Sequence, residues 1–175
     1  MATGSLIKID EEIVSSAVAS VTLGGTDWDS SYDVYMVKIS GITTVSDSFI
    51  QMRVTESGTP NTTANYDSAR KGLNSDVAFQ NFSSTNSTSY AIMGTIESST
   101  SGTGGGATIY LFNFNNASEY SFGTSEEVHL QDTGFARGVQ GGFVFTSTSS
   151  CDGVNIFGSS SDIASGTFTL YGLKK

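Results

Sequence analysis

Apolar and polar residues alternate along much of this chain with a period of two. In Asp33-Val34-Tyr35-Met36-Val37-Lys38-Ile39-Ser40, the side chains of Tyr35, Val37 and Ile39 fall on one side. Val34, Met36, Lys38 and Ser40 fall on the other. Residues 49–55 repeat the pattern, with Ile50, Met52 and Val54 as the inward set. Successive side chains of a strand point to opposite faces, so both runs read as half-buried strands. The turn-rich connection at residues 41–48 predicts that these two strands are antiparallel neighbours. Further strands are predicted at residues 89–97, 107–114, 127–130, 141–146, 153–157 and 166–171. Residues 13–23 read as a strand or a short arm. One short helix is predicted over residues 65–71, too brief to organise the fold.

About seven to ten short strands divided by Gly, Ser, Asn and Asp predict an all-β fold. The architecture expected is an antiparallel β-sandwich, jelly-roll-like. No long helix alternates with the strands, which argues against an α/β sheet. No Pro-rich linker or shift of composition divides the chain, so residues 1–175 are read as one domain, with residues 1–12 as a short N-terminal arm. Residues 98–106 read as a mobile hairpin loop between two strands, and residues 57–65 as a second polar loop.

Composition sharpens this picture. The 175 residues include 29 Ser, 21 Thr and 20 Gly but a single Pro. Thr favours strands, and Ser with Gly favours turns. Eleven Phe, seven Tyr and one Trp supply large side chains for a core; each aromatic buries on the order of 150–250 Å². Charged residues make up only 14%, too few for a coiled coil. The net charge of -9 and a pI near 4.3 argue against a nucleic-acid surface. One Cys excludes an internal disulfide framework and a multi-cysteine zinc site. No apolar run approaches the ~20 residues of a membrane-spanning helix. The first residues lack the basic and apolar pattern of a leader, so synthesis in a cytoplasm is expected. Asn-x-Ser/Thr triplets begin at Asn61, Asn81, Asn86 and Asn116, as a chain this rich in Ser and Thr produces by chance.

Candidate chemistry is sparse. Gly102-Thr103-Gly104-Gly105-Gly106 is followed by a strand, not by the Lys and helix of a phosphate loop, and reads as a turn. Asp27, Asp29 and Asp33 offer loop carboxylates for a hard cation, but the spacing lacks the Gly and Glu of a calcium-binding loop, and no metal site is assigned. His129 lies near Glu126 and Glu127, with no Gly-x-Ser-x-Gly nucleophile turn in the chain. Cys151 reads as a free thiol, or else as a contact between molecules. The neighbours Glu11-Glu12 and Glu126-Glu127 point to opposite faces of a strand, so neither pair makes a glycosidase dyad. Trp28, Tyr32 and Tyr35 are the candidate ligand or partner contacts. They read either as an aromatic cluster of the core or an interface, or as a platform on which a sugar stacks. No enzyme and no cofactor is expected.

Two stretches carry a resemblance. One is Trp28-Asp29-Ser30-Ser31-Tyr32-Asp33-Val34-Tyr35-Met36-Val37-Lys38-Ile39-Ser40-Gly41-Ile42, followed by Ile-Gln-Met-Arg-Val-Thr at residues 50–55. The other is the terminus Ile163-Ala164-Ser165-Gly166-Thr167-Phe168-Thr169-Leu170-Tyr171-Gly172-Leu173-Lys174-Lys175. With these the chain resembles small virion structural proteins of tailed phages of marine bacteria, cyanobacteria among them. The resemblance implies a β-sandwich present in many copies on a particle and carries no catalytic residue. It implies a tail component, a ring or fibre-associated module, or alternatively a protein that decorates or cements the capsid. A carbohydrate- or receptor-binding module is the other reading. The partners expected are copies of the chain, other virion proteins and a host-surface glycan, without nucleic acid or membrane. Residues 90–96 and 108–114 hold no Lys or Arg. Lysine commonly guards an exposed strand edge, so these two are expected to be edges meant for pairing.

Overall fold

The computed structural model describes residues 5–76, 79–98 and 104–174. It is all-β, with 67% of residues in strands. Among the described residues the only helical element is a 3-10 turn at Gly25–Asp27. The strands are β1 (Leu6–Val14), β2 (Ser20–Gly24), β3 (Tyr32–Thr44), β4 (Ser48–Glu56), β5 (Thr59–Pro60), β6 (Tyr66–Asn74) and β7 (Gln80–Ser87). They continue as β8 (Tyr90–Ile96), β9 (Gly105–Phe112), β10 (Ser121–Leu130), β11 (Ala136–Phe145), β12 (Gly153–Gly158) and β13 (Ile163–Lys174).

Two antiparallel sheets pack as a sandwich. The large sheet has eight strands in the order β1-β13-β3-β9-β10-β11-β6-β7. The small sheet runs β2-β12-β4, with β5 and β8 both on the far side of β4. The core fills the space between them. Val37, Ile39, Ile109, Leu111, Phe168 and Leu170 come from the large sheet, and Ile50, Met52, Val54, Val154 and Ile156 from the small one. Burying each such aliphatic contributes about 1.5–3 kcal/mol before the cost of ordering it. The inward sets read from β3 and β4 are the buried sets.

Their pairing is not as predicted. β3 pairs with β13 and β9 in the large sheet, whereas β4 pairs with β12, β5 and β8 in the small one. The connection crosses between layers instead of closing a hairpin. It is tied to the β12–β13 turn by Val45 N–H to Asp162 O (3.0 Å) and Ser46 N–H to Ser161 Oγ (2.9 Å). The physical reason is economical burial. Two strands that each carry one apolar face shelter both faces by facing each other across the sandwich. Neighbours in one sheet leave both faces still to be covered.

The same correction applies to residues 98–106. β8 belongs to the small sheet and β9 to the large one, so no hairpin joins them. The middle of that connection lies outside the described residues. β9 is also no edge, since β3 and β10 flank it, while β8 pairs with β4 along its length and is bridged to Gln131 at Ile96. Of the helix expected over residues 65–71, residues 66–71 belong to β6, paired with β11 and β7. β7, absent from the sequence reading, holds one large apolar residue, Phe82, which faces inward beneath Arg70 and Arg137. Residues 6–12 lie along β13 as the edge strand β1.

Candidate functional site

The loop before β3 is built around Trp28. Gly24 has φ of 114°, and a Cβ there would lie 2.7 Å from Asp152 O, so the chain enters the 3-10 turn in a conformation open to glycine. The turn delivers the Trp28 indole onto Tyr35, stacked with centroids 3.8 Å apart and planes 13° from parallel. Phe114 meets the indole edge-on at 6.4 Å. Trp28 is 7% exposed and Tyr35 is 1% exposed. A sugar needs an open ring face, and these two rings use theirs on each other. Tyr32, half-buried and edge-on to Tyr35 at 5.9 Å, is the member of the trio with accessible surface.

Asn115 ties this cluster to the loop. Its Oδ1 accepts from Trp28 Nε1–H (2.9 Å), and its Nδ2 donates to Asp29 O (3.1 Å), Tyr32 O (3.0 Å) and Tyr35 Oη (2.9 Å). The Tyr35 hydroxyl donates to Asp29 O. The sequence reading did not single out Asn115. Its only local signal is the Phe-Asn-Phe-Asn-Asn run that ends β9, an Asn-rich strand end of the kind that bonds neighbouring backbone. Above the cluster lies a cleft of about 570 Å³, lined by Ser30, Tyr32, Asp33, Asn113, Asn115 and Asn116. It offers hydroxyls, amides, one carboxylate and one phenol ring, a lining suited to a neutral polar ligand. Asp29 accepts from Ser31 N–H at 2.6 Å, which holds its carboxyl below the usual range. Among the described residues no three His, Cys, Asp or Glu side chains converge on a metal position, so Asp27, Asp29 and Asp33 do not form one.

A second polar cluster lies inside the large sheet. His129 and Glu127 point inward from β10, and His129 Nδ1 lies 2.7 Å from Glu127 Oε2 with both side chains fully buried. Arg137, the cross-strand partner of His129 on β11, bonds Asn74 Oδ1 (2.7 Å) and Gln80 Oε1 (2.8 Å). Glycine makes the room: a Cβ at Gly94 would lie 3.1 Å from both His129 Nε2 and Arg137 Nη1, and one at Gly105 would lie 2.9 Å from His129 Cβ. Burial holds the Glu127 carboxyl above its usual range, against the opposing pull of His129, Arg70 and Arg137. Glu127 Oε1 and His129 Nε2 have no hydrogen-bond partner. The pair therefore has a base and its orienting carboxylate, with no hydroxyl or thiol bonded to the imidazole. Glu126 points outward to Gln140 (2.6 Å), so the neighbouring glutamates part to opposite faces.

In the Gly102–Gly106 run, residues 102–103 lie outside the described residues, while Gly105 and Gly106 belong to β9. Cys151 is buried, with its backbone N–H on Phe114 O at 2.8 Å, and burial pushes its thiol up to about 12. The thiolate is the reactive form. Dithiobis(nitrobenzoate) at neutral pH should therefore leave the folded chain unlabelled and label one thiol per chain once urea unfolds it. Rapid labelling of the folded chain would show that Cys151 is accessible.

Compared with known proteins, the chain matches no family model, no curated protein and no solved structure.

Proposed function

We propose that this chain is a structural component of a tailed-phage virion, present in many copies, and placed in the tail as a ring or fibre-associated module. The observation that carries the reading is the outer face of the large sheet. Sheet faces turned to water are normally polar. Here Tyr110, Phe112, Phe122 and Leu173 stand exposed on it. A contiguous apolar patch on a folded domain marks a contact surface. The resemblance of its strand patterns to those of small phage virion proteins, the sandwich and the net charge of -9, which favours solubility of free chains before assembly, agree with it. Capsid decoration is the alternative placement.

Immunogold labelling of purified particles, with an antibody raised against the pure chain, tests this reading. Regular labelling along or around the tail is expected, and labelling spread over the head would move the protein to the capsid. Particles that neither bind the antibody nor contain the chain by mass spectrometry would overturn the reading. A glycan-binding role is favoured only by the polar cleft beside Tyr32. On a glycan array that role requires a signal lost in Tyr32→Ala.

A further inference from the structure

We infer that the outer face of the large sheet is a two-fold interface between copies of this chain, with the axis running along β9. The strand register sets the outward residues in transverse rows. The first row reads Leu6, Leu173, Val34, Phe112, Phe122 and Val144 across β1, β13, β3, β9, β10 and β11. The second reads Tyr171, Met36, Tyr110, Thr124, Gly142 and Ala69 from β13 to β6. In the third, the charges alternate in sign: Glu11 on β1, Lys38 on β3, Glu126 on β10 and Lys71 on β6, with Thr169, Thr108 and Gln140 between them.

A row of alternating charges with an even number of members is complementary to itself when reversed. A two-fold axis parallel to the strands and over β9 exchanges β3 with β10, β13 with β11, and β1 with β6. Lys38 of one copy then meets Glu126 of the other, and Glu11 meets Lys71. An axis over β3 sets Lys38 on Lys38 and Glu11 on Glu126. An axis over β10 sets Glu126 on Glu126 and Lys38 on Lys71. β9 is the position at which all four charges of this row find opposite partners, and like charges in contact are costly.

The apolar rows agree with the same axis. Phe112 and Tyr110 meet their own copies, Val34 meets Phe122, and Leu173 meets Val144. Tyr171 meets Gly142, which lies in a trough of about 580 Å³ lined by Ala69, Phe122, Thr124 and Val144. A large ring thus faces the place where a side chain is missing. Two mismatches, Leu6 against Asp67 and Lys8 of β1 against Ala69, fall at the rim, where Lys8 already bonds Glu11 of its own chain at 3.1 Å. Aligned sheets pack face to face in this manner. Seven strands at about 4.8 Å and three rows at about 6.7 Å cover roughly 700 Å² per copy, which clears the lower bound for a specific dimer. Such an interface is isologous, as closed two-fold dimers require.

In taking a second copy as occupant the inference rests on the multi-copy reading above, but the two fail separately, because association is read on the pure chain without particles. Sedimentation equilibrium from micromolar to millimolar chain should show a monomer–dimer equilibrium. Phe122→Lys should remain monomeric throughout. Lys38→Glu and Glu126→Lys should each weaken the dimer about tenfold, since two symmetric contacts turn repulsive. The double variant Lys38→Glu/Glu126→Lys should regain the wild-type affinity, and circular dichroism verifies that each variant is folded. A wild-type chain that stays monomeric at every concentration overturns the inference. So does a dimer indifferent to Phe122→Lys, or a double variant no tighter than the singles. Cross-linking of this face in particles to a different protein overturns it as well, while leaving the particle reading in place.

Discussion

Trp28→Ala should lower the unfolding free energy by about 3–5 kcal/mol, the usual cost of emptying an aromatic site in a core. The indole is buried, stacked on Tyr35, edged by Phe114 and bonded through Nε1 to Asn115. Alanine removes the ring and also frees the Asn115 carbonyl that holds the loop to the end of β9. Two companions calibrate the effect. Asn115→Ala should cost about 1–3 kcal/mol, because it leaves the Trp28 N–H without its partner but keeps the rings stacked. Tyr32→Ala should cost about 1 kcal/mol, because a half-buried ring at the cluster's edge gives up less contact with the core. Urea titrations of the three variants, with m-values unchanged, give the ordering directly. Equal losses in Trp28→Ala and Tyr32→Ala would show that the indole is not the centre of the cluster.

At a pH above the raised value of Glu127, where the group is ionised, His129→Leu should cost about as much, 3–5 kcal/mol, by the different route of stranding a buried carboxylate. Glu127 Oε2 loses the imidazole at 2.7 Å, and Oε1 has no partner to begin with. The variant Glu127→Met/His129→Leu removes both polar groups at similar volume and should recover most of the loss, because replacing a buried pair by apolar residues is often neutral. Arg137 keeps Asn74 and Gln80 in that variant.

The pH dependence has a definite sign. The Glu127 carboxyl is held above its usual range, so the folded chain keeps a proton that the unfolded chain has released. Stability therefore falls as the pH rises from the ordinary carboxylate range through the raised value. His129→Leu takes away part of the pull that opposes burial, so its stability should fall more steeply and over a wider span of pH. The double variant should lose this component. Denaturation midpoints at a series of pH values measure all three slopes, and parallel slopes would show that Glu127 does not carry the effect.

These two clusters have consequences for the proposed role. The aromatic cluster fixes the loop that walls the only accessible ring of the candidate trio, Tyr32. The Glu127–His129 pair occupies the inner face of β10, the strand whose outer face carries Phe122 and Glu126. A structural protein repeated on a particle needs its contact face to be rigid, and a packed strand with both faces specified supplies that.

The alternating pattern was enough to reveal strand identity and the buried side of each strand. Tyr35, Val37 and Ile39, like Ile50, Met52 and Val54, are the core residues that period two marks. The scarcity of Lys, Arg and His likewise limits the chemistry the chain can offer, whatever its topology. Where the inward residues are polar the pattern fails. Tyr66, Ser68, Arg70 and Gly72 on β6, and Phe82 alone on β7, leave no apolar stripe to read, so one strand resembles a helix and the other a loop.

What only the tertiary structure decided is the partner of each strand. A residue's hydrophobicity records whether its side chain is buried, a property of one face of one strand. Backbone hydrogen bonds are the same for every strand and carry no address. Nothing local therefore distinguishes β4 beside β3 from β4 across the core. The same holds for the Asn115 contacts to Trp28 and Tyr35, which join residues 80 or more positions apart in sequence. It holds for the Glu11–Lys38–Glu126–Lys71 row, whose members come from four separate strands. The alternation of charge that marks this face has no counterpart along the chain. It exists only because the register of the large sheet lines those strands up.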